Sequence, residues 1–194
     1  MAVNLQKGQR ISLAKEDGSA LHNVTIGLGW DVSARAGVNV DCDASAVLCG
    51  QNDKMINADL KTGDIVFFNH LKHSSGAVWH TGDNLTGAGE GDDEQIVVLL
   101  DKVPAQYEKI IFTVTLYEAK KRNQHFGLLK NAFIRIVDSD SQKELCNYQL
   151  SEQYDGMTML IFGELYRKDG VWKFNAIGQP THDEWIADLV RRYS

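Results

Sequence analysis

Along most of the chain, apolar residues alternate with polar ones at a period of two, and β-branched and aromatic side chains fill many of the apolar positions. That pattern is what strands with a buried face require. It predicts strands over 10–13, 23–28, 38–48, 64–69, 95–100, 109–116, 132–137, 144–150, 157–166 and 171–177. Turn signals punctuate them at Asp17-Gly18, Gly50-Gln51-Asn52-Asp53, Ser139-Asp140-Ser141 and Lys168-Asp169-Gly170, the last closing a short hairpin. Many short strands at near-regular spacing predict an all-β protein, a β-sandwich. Helix is scarce. One short helix is expected within 118–130, and a terminal one over 182–193, where Trp185, Ile186, Leu189 and Tyr193 recur at helical spacing. Thr181 and Glu184 carry the spacing of a capping box at its start. Packing on the sandwich is the expected role of that helix, with partner binding through its aromatic face as the alternative.

Composition narrows the picture. The chain has 194 residues, 43% of them hydrophobic, enough for one substantial core, so one domain over 1–194 is expected. The formal net charge of −6 argues against nucleic acid as a primary partner. The short basic clusters Lys120-Lys121-Arg122 and Arg191-Arg192 read as solvated surface. The three cysteines, Cys42, Cys49 and Cys146, form no C-x-x-C pair and suit a reducing compartment, as small buried hydrophobes. With no apolar leader and no apolar run long enough to span a bilayer, a cytoplasmic location is expected.

The stretch from Gly82 to Glu94, GDNLTGAGEGDDE, changes the picture most. It holds Asp83, Glu90, Asp92, Asp93 and Glu94 with Asn84 and Thr86, no Lys or Arg, and interleaved glycines. Hard oxygen donors on a backbone that can turn its carbonyls inward suit calcium. Two such carboxylates about 5 Å apart at an effective dielectric near 20 repel by roughly 3 kcal/mol, which a divalent cation would reverse. The competing reading is a solvated acidic turn. An EF-hand does not fit, because counting from Asp83 places Leu85, Gly87 and Ala88 where that loop wants ligands and its glycine. A phosphate-cradling loop is disfavoured by the charge and the missing lysine.

A second oxygen set lies upstream. Strict alternation from Val38 to Leu48 puts Asn39, Asp41, Asp43 and Ser45 on one strand face and Val40, Cys42, Ala44 and Ala46 on the other. Asp41 and Asp43 are then neighbours about 6–7 Å apart along the strand. Asp31 follows the bend-permitting run GLGW, and Asn69 closes the apolar run IVFF. Spacing alone does not bring these groups together.

Taken together, GLGWD (27–31), DCDAS (41–45), FFN (67–69), HTGDNLTGAGEGDDE (80–94), NAFIRIV (131–137), FGELYR (162–167) and VWKF (171–174) resemble the TerD family of bacterial tellurite-resistance and general-stress proteins. The resemblance spans about Val3 to Gly178; beyond Gln179 the familiar Gly-rich ending gives way to PTHDEWIADLVRRYS. It implies a β-sandwich whose converging loops bind Ca2+, typically two ions. Carried over, the family's acidic positions fall on Asp31, Asp41, Asp43, Asn69, Asp83, Asp92, Asp93 and Glu94, with backbone carbonyls around Thr86, Gly87 and Gly91 completing the shells. Which group serves which ion stays open, as does the direction of Glu90. The implied partners are other stress and tellurite-resistance proteins, a membrane-associated complex at the inner membrane included.

Enzymatic alternatives are weaker. A divalent-metal-dependent phosphoesterase is conceivable with two clustered ions, but sites closed by protein oxygens leave little room for an attacking water. Ser45 lacks a recognisable histidine partner. The H-x-x-H spacing of His70 and His73 does not put both rings on one strand face, which disfavours zinc. His80 is a candidate hydrogen-bond partner behind the acidic loop. A thiol-based tellurite detoxifying protein would need a reactive cysteine, whereas Cys42 and Cys49, seven apart on one strand, read as packing on opposite faces. The function expected is a calcium-organised binding or scaffold module in the stress response, not a catalyst.

Overall fold

The structure, a computed structural model, describes residues 3–4, 8–12, 19–31, 40–87, 91–149 and 154–194. Its strands are β1 (Val3–Asn4), β2 (Arg10–Ser12), β3 (Asn23–Asp31), β4 (Cys42–Cys49), β5 (Ile65–Val66), β6 (Val78–His80), β7 (Glu94–Leu99), β8 (Lys109–Leu116), β9 (Lys130–Asp138), β10 (Lys143–Gln149), β11 (Met159–Lys168) and β12 (Val171–Thr181). Two helices complete it, α1 (Ala119–Arg122) and α2 (Ile186–Arg192). The strands form two six-stranded sheets, ordered β1-β10-β9-β3-β7-β6 and β2-β12-β11-β8-β4-β5. Every pairing is antiparallel except β1 with β10. The expected all-β sandwich is what the chain forms.

The alternation explains the layers. Val24, Ile26 and Leu28 of β3, Ile96 and Val98 of β7, and Ile134 and Ile136 of β9 meet Cys42, Ala44, Ala46 and Leu48 of β4 and Phe112 and Val114 of β8 between the sheets. A second apolar cluster covers the outer face of the second sheet. There Val47, Cys49, Ile65, Ile111, Met159 and Ile161 lie under Ile186 and Leu189 of α2. The terminal helix therefore packs on the sandwich, and β4 is buried on both faces. Cys42 and Cys49 do fall on opposite sides, and all three thiols are free and buried.

A register shift at Ile161–Gly163 bulges β11 against both neighbours and moves the core-facing phase from Leu160 and Phe162 to Leu165. Gly163 is required there: a Cβ would come within 2.3 Å of the Phe174 ring and 2.7 Å of the Asn175 carbonyl.

Several boundaries differ from the pattern. β6 is too short to show an alternation, and it forms because Val78–His80 pair with Val98–Ile96 of β7. Of the 64–69 run only Ile65–Val66 is strand, since Phe67 and His70 exchange hydrogen bonds and turn the chain. The 38–48 strand begins at Cys42, and residues 38 and 39 lie outside those described. The expected capping box does not form. β12 runs on to Thr181, paired with Met159, so the helix starts only at Ile186. Asp188 accepts from the amides of Glu184 and Trp185, while Thr181 Oγ1 accepts from the Asp183 amide.

Because α2 closes the outer cluster with fully buried Leu189, Leu189→Ala is expected to lower unfolding free energy by about 2–5 kcal/mol in urea titration, the usual range for a buried leucine truncation. A cost well below that range would show that the helix covers the sheet without stabilising it.

Candidate metal centre

The edge of β4 nearest its N-terminus organises the candidate site. β5 pairs only with Ala46 and Val47, so among the described residues no strand lies beside the edge of β4 around Ala44. Glu94, the first residue of β7 in the opposite sheet, fills that gap: its Oε2 accepts the Ala44 amide at 2.7 Å. The same oxygen accepts from His80 Nε2 at 3.1 Å, and Oε1 accepts the Asn84 amide at 3.2 Å. His80 Nδ1 accepts the Gly82 amide, which leaves the ring proton on Nε2 facing Glu94.

Asn84 then shapes the loop. Its Oδ1 accepts the amides of Thr86 and Gly87, and its Nδ2 donates to Asp93 Oδ1 at 3.0 Å. Asp93 Oδ2 accepts the Trp30 amide at 3.0 Å, and the Trp30 indole donates to the Val40 carbonyl at 3.1 Å. Gly87 sits against that indole with φ +63°, where a Cβ would come within 2.4 Å of Trp30 Nε1, so glycine is required.

These constraints gather Asp41, Asp43 and Asp83, each offering a carboxylate oxygen within 4.8 Å of the others. Asp41 and Asp43 share the outer face as the alternation predicts, opposite the side taken by Cys42 and Ala44. They border a cavity of about 500 Å³ that Thr86, Leu85, Tyr117 and Arg122 also line. Burial, with Asp83 next in weight, pushes the Asp41 carboxyl up to about 6. Burial, then the charges of Glu94 and Asp41, pushes Asp43 up to about 8. Glu94 is raised by its burial, against the opposing hydrogen bond from His80.

Asp64 shows what a buried structural aspartate looks like here: it accepts from the amides of Ile56 and Asn57, from the Tyr107 hydroxyl and from His73. Asp41 is as buried, at 3% exposed, yet its Oδ1 has no hydrogen-bond partner and Arg122 Nη1 stands 3.7 Å from its Oδ2. Like charges held together with an orphaned oxygen fit a hard divalent cation, and the donors are all oxygens.

The other expected ligands are distributed differently. Asp31, exposed at the end of β3, accepts from Asn131 Nδ2, and its charge, after that of Asp92, helps raise the largely burial-driven shift of Asp93. Asp31 and Asp93 are thus neighbours beside the main cluster. Asp92 is tied to Arg135 at 2.7 Å and to Gln95. Both oxygens of Glu94 are taken by the donors already named. Asn69 is exposed in its turn, and Phe68 is the neighbour that reaches the cavity. Gly91 is exposed with φ +93°, its carbonyl close against Gly29. Residues 88–90, Glu90 included, lie outside those described. His70 and His73 are used separately, on the Ile65 carbonyl and on Asp64.

Sequence reasoning missed Arg122. Its basic run is exposed as the sequence predicts, Arg122 included, but Arg122 also stands 3.7 Å from Asp41 and over the Tyr117 ring, contacts that the local sequence does not signal.

A family model described as the TerD domain matches residues 1–193, the terminal helix included. The chain is 45% identical to the stress response protein SCP2 of Bacillus subtilis (strain 168) over all of both chains. It is 48% identical to the tellurium resistance protein TerD of Serratia marcescens, covering 92% of this chain and 91% of that one. Among solved structures, a homologue of telluride resistance protein (TerD) from Streptomyces coelicolor A3(2) superposes with a TM-score of 0.69 at 19% identity, over 90% of this chain and 99% of that one, a likeness of fold.

In EDTA, the folded protein holds protons on Asp41 and Asp43 up to about pH 6 and 8, where the unfolded chain has released them. The folded state therefore binds more protons between the ordinary aspartate range and those values, and stability falls as pH rises through that window. Thermal melts in EDTA are expected to show a lower Tm at pH 8 than at pH 5. A Tm that rises over this interval would contradict the burial of like charges.

Proposed function

The chain belongs to the TerD family, whose named relatives are tellurium-resistance and stress-response proteins, and we propose that it is a calcium-binding module that acts by presenting an ion-organised surface. The observation that carries this reading is the convergence of Asp41, Asp43 and Asp83 with an orphaned, buried Asp41 oxygen. Those three side chains would hold one ion. Asp31, with carbonyls of the Thr86–Gly91 stretch, would serve a second; Asp93, whose two oxygens already accept from Asn84 and Trp30, could join it only through its remaining lone pairs. Bound there, calcium supplies the positive charge that cancels the repulsion built into the loop ends.

The protein's own residues do the rest. Glu94, His80 and Asn84 hold the loop against β4, and Trp30 seats Gly87 and Asp93. The proposed role is binding, not catalysis; Ser45 Oγ, the serine beside the carboxylates, is buried without a hydrogen-bond partner, so no base engages it as a nucleophile. No helix among the described residues is long and apolar enough to cross a membrane. The proposed setting is the cytoplasm, with other stress and tellurite-resistance proteins, including a membrane-associated complex, as partners.

Linkage gives the physical effect: at free calcium 100-fold above Kd, each site adds about 2.7 kcal/mol of stability. Calorimetric titration of EDTA-stripped protein, repeated in excess magnesium, is expected to show about two ions with micromolar or tighter affinity, in the range of protein calcium sensors. Asp43→Asn and Asp83→Ala should each weaken the first site at least tenfold, about 1.4 kcal/mol. Asp92→Asn should leave it nearly unchanged, since Arg135 already occupies that carboxylate. Wild-type calcium affinity in both Asp43→Asn and Asp83→Ala would overturn the assignment.

A further inference from the structure

The cavity beside the carboxylates is much larger than one cation needs. Its roughly 500 Å³ compares with a liquid share of about 30 Å³ for a water molecule, and it falls within the usual 300–1,000 Å³ of small-molecule sites. Its walls are also of two kinds. Asp41, Asp43 and Asp83 supply carboxylates, and Leu85, Phe68 and Tyr117 supply apolar surface, Leu85 being 60% exposed. Tyr117 is braced edge-on by Phe68 at 5.8 Å and met by the tilted Trp185 ring at 6.2 Å.

Arg122 lines the same cavity and touches both kinds of residue. Its guanidinium carbon lies 5.0 Å from the centre of the Tyr117 ring, and its side chain is 34% exposed. Its ion-pair contacts, to Asp41 Oδ2 at 3.7 Å and to Glu118 Oε2 at 3.6 Å, are both longer than a hydrogen bond. A guanidinium whose only purpose was to neutralise Asp41 would close on it as a fork, with two short parallel bonds. Instead it is held by the aromatic face, its donors unspent at the cavity wall, while Asp41 Oδ1 remains without a partner. The four-residue helix that carries it is bounded by Glu118 at φ +50° and Asn123 at φ +52°, so a demanding local backbone fixes where Arg122 emerges.

We propose that Arg122, together with the cation held by Asp41, Asp43 and Asp83, binds a small organic anion: a carboxylate or phosphate carried on an apolar body that rests against Tyr117 and Leu85. This rests on the metal-binding reading above. Without the cation, the three aspartates repel an anion; with it, one anion oxygen completes the coordination and a second meets the guanidinium fork. The two ligands then bind cooperatively, each tightening the other by the same factor.

Terbium(III) serves as the cation probe, with Tyr117 and Trp185 as sensitisers, and phenyl phosphate and phenylacetate as the two anion probes. Luminescence lifetimes in H2O and D2O count the waters on the ion. Adding an anion is expected to remove at least one water in the wild type, and whichever probe acts at lower concentration identifies phosphate or carboxylate as the preferred group. Arg122→Gln should weaken anion binding at least tenfold while leaving terbium affinity unchanged or tighter, and Arg122→Lys should recover only part of the loss. Terbium binding with no water displaced by either anion overturns the proposal, as does displacement that is equal in Arg122→Gln and wild type. Absence of terbium binding in the wild type overturns the metal-binding reading itself, and this proposal with it.

Discussion

The buried carboxylate of Glu94 is the constraint on which the rest of the site depends. It is fully enclosed, and a charge in that position is tolerable only if its oxygens are met by donors. Those donors come from three separate places: the Ala44 amide on the edge of β4 beyond its pairing with β5, the ring of His80 on β6, and the Asn84 amide in the loop. One side chain of the first sheet thereby fastens the second sheet and the acidic loop at once. Removing any donor leaves a buried charge short of a partner, at a cost above that of an ordinary hydrogen bond. The position of Asn84, and through it the turn at Thr86–Gly87 and the seat of Asp93, follows from this contact.

What Glu94 stabilises, the neighbouring aspartates oppose. Asp41 and Asp43 are driven underground by the strand pairing of β4 with β8 and by the burial of Cys42 and Ala44 in the core, because consecutive positions on a strand face opposite ways. Their raised proton affinities are the local sign of that cost. The core thus holds these carboxylates close together against their mutual repulsion.

The sequence carried much of this architecture, though unevenly. Strict alternation made β4, β8 and β12 readable and put Asp41 and Asp43 on one face, because period-two burial is a local property. Contacts made across the fold left no local trace. Asp92 and Arg135 are far apart in sequence and meet across Gly27 of β3, which pairs with both Gln95 and Arg135 and, lacking a side chain, leaves room for the Asp92 carboxylate. Arg122 is exposed like its lysine neighbours, and only the fold brings Asp41 and the Tyr117 ring beside it. Thr181 carried a helix-start signature, but the β11–β12 hairpin extended through it and claimed it first. Among the expected ligands, composition could not distinguish an oxygen free to coordinate, as in Asp41, from one already committed, as in Asp92 and Glu94.

The outer face of β4 shows how one strand can serve both purposes. At its far end Val47 and Cys49 lie under α2, in an apolar seam that excludes water. Toward Asp41 the same face turns polar, with Asp43 opposite Thr115 and Ser45 opposite Thr113, and the hydroxyls of Ser45, Thr113 and Thr115 are buried without partners. The change occurs where α2 begins, at Trp185, whose ring leans on Tyr117 at the rim of the cavity. The helix end therefore marks where cover stops and the site starts. Trp185 and Ile186 at the start of the helix border Asp43, Ser45 and Thr115, so the apolar seam and the polar stretch adjoin there. Stability and access are set by the same residue boundary, which is why the terminal segment belongs to the site's architecture even though it contributes no carboxylate to it.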